Sequence, residues 1–107
     1  MIEEKLNKLP LEVKGMFLEI KDIVYNVAPN TIETLWAGLP TYSMSKEKFV
    51  RIIPFKDHIN VEAMALSAYK DSLEDYTYTP KNMLQIYVGE EIPKDILYKI
   101  FKETLLV

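Results

Sequence analysis

The sequence predicts an α+β domain: a mostly antiparallel sheet with helices packed on one face, a two-layer α/β sandwich. Three observations predict it. A long helical apolar stripe opens the chain, a run of period-two segments fills its middle, and a second helical stripe closes it. With 107 residues, about half of them hydrophobic, the chain fits one domain over 1–107 with its own core.

The first stripe begins near Pro10. Leu9, Val13, Met16, Phe17, Ile20, Ile23, Val24 and Val27 recur at steps of three and four. Pro29 stops that helix. Asn30 can cap a short second helix, with Glu33 placed as in a capping box and Ile32, Leu35 and Trp36 facing inward. Gly38 and Pro40 end it. The pattern then turns strand-like: Thr41 to Met44, Phe49 to Phe55 and His58 to Ala63.

Lys56-Asp57 forms the turn between the last two strands. That turn sets Ile52 opposite Val61, Val50 opposite Ala63 and Arg51 opposite Glu62. Apolar pairs then share one face and an opposite-charge pair the other, and a one-residue slip would destroy both. Met64 to Leu73 reads as a helix, 74–82 as a polar connection and Met83 to Val88 as a last strand. Pro93 suits the first turn of a closing helix with Ile96, Leu97, Ile100 and Phe101 as its stripe. The expected order is ααβββαβα.

The helix-covered face is expected to carry Val50, Ile52, Ile59, Val61, Leu84, Ile86 and Val88. The other face is expected to carry Tyr42, Arg51, Ile53, Phe55, His58, Asn60, Glu62, Gln85 and Tyr87. That half-aromatic, half-polar surface is a candidate contact site for a ligand, a protein partner or a second copy.

Charge and composition narrow the chemistry. The net charge of −3 is spread over interspersed acids and bases, without the basic stripe that nucleic acid requires. No apolar run approaches the roughly 20 residues of a membrane span. There are no cysteines, which removes disulfides, thiolate metal sites and cysteine nucleophiles, and an intracellular, cytoplasmic setting fits. Phosphate loops and nucleophile elbows are absent. His58 is the sole histidine. Asp57 beside it is expected to point away, as neighbours near a strand do, so a relay triad is not expected. His58 reads either as a turn residue or as part of a binding surface with Tyr42, Lys56 and Tyr87.

The acids Glu12, Glu19 and Asp22 share the outer side of the first long helix. Carboxylates so placed can bind a hard cation weakly, although Lys14 and Lys21 interleave with them and make a solvated mixed surface the simpler reading.

Glu33 with Trp36-Ala37-Gly38-Leu39-Pro40-Thr41-Tyr42 resembles the helix-to-strand signature of the YdhG-like family. Phe55-Lys56-Asp57-His58-Ile59 resembles that family's lysine–x–histidine hairpin. Thr79-Pro80-Lys81 before a strand and Ile92-Pro93 before the last helix complete the likeness, which runs from about Ile20 onward. The resemblance implies a frataxin-like sandwich and a non-catalytic role, since some members are described as iron chaperones. It would make weakly bound iron the cargo, with Glu12, Glu19 and Asp22 as its ligands. The alternative is a partner- or small-anion-binding module on the open sheet face, with Trp36, Tyr42, Lys56, His58 and Tyr87 and added charge from Lys81. A hydrolase or transferase ranks last, for want of a nucleophile, base and cofactor motif together.

Overall fold

The computed structural model describes residues 2–107. The chain forms α1 (Ile2–Asn7), α2 (Leu11–Val27), β1 (Ile32–Trp36), β2 (Leu39–Ser43), β3 (Phe49–Pro54) and β4 (His58–Ala63). A 3-10 helix (Met64–Leu73), β5 (Thr77–Tyr78), β6 (Leu84–Tyr87) and α3 (Lys94–Leu106) follow. The six strands make one antiparallel sheet in the order β1-β2-β3-β4-β6-β5, with α2 and α3 packed against it. This is the two-layer α+β sandwich expected from the sequence.

The register around Lys56-Asp57 is as the charge and apolar pairing dictate: Val50 opposite Ala63, Arg51 opposite Glu62 and Ile52 opposite Val61. Val13, Phe17, Ile20 and Val24 of α2 and Leu97, Ile100 and Phe101 of α3 have no exposed surface. They meet Val50, Ile52, Ile59, Val61, Leu84 and Ile86, which are equally enclosed. Each such side chain contributes about 1.5–3 kcal/mol on leaving water. Val88, assigned to this face, is 39% exposed because it follows the last residue of β6.

The segment expected as a second helix is instead β1, the first arm of a hairpin. Ala37 (φ 51°) and Gly38 (φ 80°) are both left-handed, the backbone of a two-residue type I′ turn. β-branched Ile32 and Thr34 with Trp36 suit a strand, and the Asn30–Glu33 spacing that imitates a capping box is outcompeted by the turn. Three further departures are local. α1 forms where no element was assigned. Met64–Leu73 winds as 3-10 rather than α, which steps of three do not distinguish. The connection after it contains the two-residue strand β5.

Ala37 is the strained half of the turn, since an L-residue in this region costs roughly 1–2 kcal/mol. Ala37→Asn restores the Asn-Gly pair such turns favour. We expect a gain of about 1 kcal/mol and a rise in Tm of roughly 4–8 °C, read by circular dichroism. A lower Tm would contradict the turn geometry.

Candidate functional site

The face of the sheet away from α2 and α3 carries a line of side chains set by three ladders: Thr34 pairs with Thr41, Thr41 with Arg51, and Arg51 with Glu62. Alternation puts Trp36 two residues along β1 from Thr34, on the same side. Its ring lies 4.1 Å from the Arg51 guanidinium, and the Phe49 ring lies 4.3 Å from that same group. The cation is thus held between two aromatic rings. Its Nε–H donates to Thr41 Oγ1 at 3.2 Å, and Nη1 donates to Glu62 Oε1 at 2.9 Å. The Arg51 side chain keeps only 12% of its surface, so the guanidinium is fixed rather than free. A groove of about 510 Å³ opens beside it, lined by Thr34, Trp36, Thr41, Ser43, Ser45, Lys46 and Phe49.

The other end of this face is an aromatic stack. The His58 ring is parallel to Phe55 at 4.6 Å and close to parallel to Tyr87 at 4.7 Å, with His58 and Tyr87 cross-strand partners. Asp57 Oδ1 lies 2.8 Å from His58 Nδ1. The expectation that Asp57 points away fails because Asp57 sits in the turn, where strand alternation does not apply. Asn60 and Gln85 join between the two ends through a 3.3 Å hydrogen bond. Lys56 is exposed at the hairpin tip, and Lys81 lines a separate depression that includes Phe49 and Glu62.

Tyr42 is not on this face. It pairs with Val50, a residue of the helix-covered side, and is fully buried. Its ring meets Tyr25 of α2 edge-on with centroids 5.9 Å apart, and its hydroxyl donates to Glu33 Oε2 at 2.8 Å. Lys21 Nζ lies 2.9 Å from the same oxygen. Burial, then the Glu33 hydrogen bond and charge, push the Tyr42 phenol far above its ordinary value. Burial would raise the Glu33 carboxyl, but the hydrogen bonds from Lys21 and Tyr42 and the Lys21 charge outweigh it, so the net shift is downward. The expectation that Tyr42, His58 and Tyr87 share one surface is corrected: the β2–β3 register sets Tyr42 opposite Val50 and hence on the helix-covered side.

Glu12, Glu19 and Asp22 are all exposed along α2. Among the described residues no three His, Cys, Asp or Glu side chains gather closely enough to hold a metal ion. Among the described residues no helix is long and apolar enough to cross a membrane.

Arg51 and Glu62 were legible as a register pair but not as a site, and Phe49 carried no signal. Recognising β1 as a strand would have brought Trp36 over Arg51. Compared with known proteins, the chain matches no family model, no curated protein and no solved structure.

Proposed function

We propose that this protein is a non-catalytic binding module whose open sheet face takes a small anionic group, a carboxylate or a phosphate, in the groove beside Arg51. The observation that carries the reading is the guanidinium held between Trp36 and Phe49 with two of its five N–H donors already engaged. Three donors remain for a planar or tetrahedral oxyanion, and a pre-ordered fork loses little entropy on binding. Thr34, Ser43 and Ser45 supply hydroxyls and Lys46 a second positive charge along the groove. Glu62 offsets part of the Arg51 charge and favours small, well-directed acceptors over bulk negative charge.

A two-dimensional NMR titration with citrate, and separately with inorganic phosphate, tests it. The Trp36 indole and Arg51 Nε–H signals should move first and saturate together. Movement centred instead on Lys56 and Lys81, or uniform movement over all lysines, would overturn the assignment.

A further inference from the structure

The two edges of the sheet are unlike. β5 is two residues long and Pro80 lies two residues beyond it, the usual protection of an open edge. β1 has five residues, contains no proline, lysine or bulge, and exposes Ile32 (65%) and Trp36 (58%). Its hydrogen-bonding phase follows from the turn. A two-residue turn closes on a hydrogen-bonded pair, here Trp36 with Leu39, so Thr34 and Ile32 also bond inward to β2. The Glu33 and Leu35 main-chain groups therefore point away from the sheet. Pro40 agrees, since it stands opposite Leu35, where no bond to β1 is made.

We propose that β1 is a self-pairing edge: two copies of the chain join antiparallel through Ile32–Trp36 about a two-fold axis at Thr34, fusing two sheets into one. Three antiparallel registers centre on the inner residues of this strand, Glu33, Thr34 and Leu35. One sets Glu33 against Glu33 of the second copy, which opposes like charges. Another sets Leu35 against itself and brings Glu33 against the left-handed Ala37, where the strand has ended. Only the register about Thr34 pairs Glu33 with Leu35, and it does so twice. Both pairs use the outward-pointing N–H and C=O groups, giving four main-chain hydrogen bonds. On the open face the same register sets each Ile32 against the other copy's Trp36, an aromatic–β-branched pair, and Thr34 against Thr34. In the Thr34 register Glu33 faces an apolar Leu35 rather than a second carboxylate and keeps its contacts with Lys21 and Tyr42. The association does not rest on the anion reading, although Thr34 and Trp36 also line the groove beside Arg51.

A five-residue edge is short for an interface, since stable ones bury about 1,200 Å² or more, so a reversible dimer with Kd on the order of 10–100 μM is expected. Sedimentation velocity from about 1 μM to about 1 mM should show the 12.5 kDa chain shifting to twice that mass, and Thr34→Lys should weaken the dimer at least tenfold by setting like charges on the axis. The chain has no cysteine, so Thr34→Cys introduces one thiol at a position where Cα atoms across the axis lie about 4.5 Å apart, within disulfide reach. With oxidised glutathione it should cross-link at least tenfold faster than Thr77→Cys on the opposite edge. A chain monomeric throughout the range, a dimer untouched by Thr34→Lys, or equal cross-linking of the two cysteine variants would overturn the proposal.

Discussion

Tyr42→Ala is expected to destabilise the protein by about 3–5 kcal/mol, a large part of the 5–15 kcal/mol that holds a typical domain. The side chain is fully enclosed between α2 and the sheet, so truncation leaves a cavity beside Tyr25. It also removes one of the two groups bonded to Glu33. Tyr42→Phe separates these effects: it keeps the ring and should lose about 1.5–3 kcal/mol, the range for a hydrogen bond to an ionised carboxylate. Urea unfolding followed by tryptophan fluorescence measures both.

The pH dependence of the same variant gives an independent check. Glu33 lies below its ordinary 4.5 in the folded state, so its contribution is present above that value and lost as pH falls through the folded one. Tyr42 lies far above its ordinary 10.0, so its contribution is present below pH 10 and is lost as the unfolded phenol ionises above it. Tyr42→Phe should therefore unfold less steeply between pH 10 and 11 than the parent. Some alkaline slope should persist, because Tyr25, Tyr76 and Tyr78 are also raised, chiefly by burial. Parallel alkaline slopes in parent and variant would show that the Tyr42 hydroxyl is not in the enclosed, carboxylate-bonded position.

Arg51 should dominate binding as Tyr42 dominates stability. Arg51→Gln is expected to weaken citrate or phosphate binding at least tenfold, about 1.4 kcal/mol. Arg51→Lys should recover little, because an ammonium is a point charge without the planar fork that lies between Trp36 and Phe49. Both variants should lose some stability, since Arg51 is largely enclosed between two rings and bonded to Thr41 and Glu62, and thermal melts show whether each is folded at the titration temperature. Isothermal titration calorimetry alongside thermal melts distinguishes the cases. Full retention of binding in Arg51→Lys would mean that charge alone, not the stacked fork, selects the ligand.

Much of the fold could be read from side-chain alternation. The β3–β4 register was over-determined, because apolar pairs and the Arg51–Glu62 pair agree on one solution. The β1–β2 hairpin was not, because Ile32, Leu35 and Trp36 are spaced as readily for a helix as for a strand. Ala37-Gly38 is a weaker turn signal than Asn-Gly, and it was the deciding residue pair. That single ambiguity hid most of the site. The side to which β2 turns Tyr42 depends on the β2–β3 register, which pairs it with Val50, and without β1 nothing brought Trp36 to Arg51. His58 and Tyr87 lay on a strand pair with clear alternation, so their shared face was legible. The stacking between them depends on ring orientation, which alternation does not encode.

The strand order has a consequence for assembly. β1, β2, β3 and β4 are neighbours both along the chain and across the sheet, so this meander can close hairpin by hairpin on the microsecond scale. The helix layer differs, because α2 and α3 flank the whole sheet in sequence yet pack against each other. Bringing them together closes a long loop at a cost of about 4 kcal/mol. Burial of Leu97, Ile100 and Phe101 offsets that cost. The α2–α3 contact is thus the most non-local part of the fold. Until α3 docks, the helix layer over β3 and β4 consists of α2 alone.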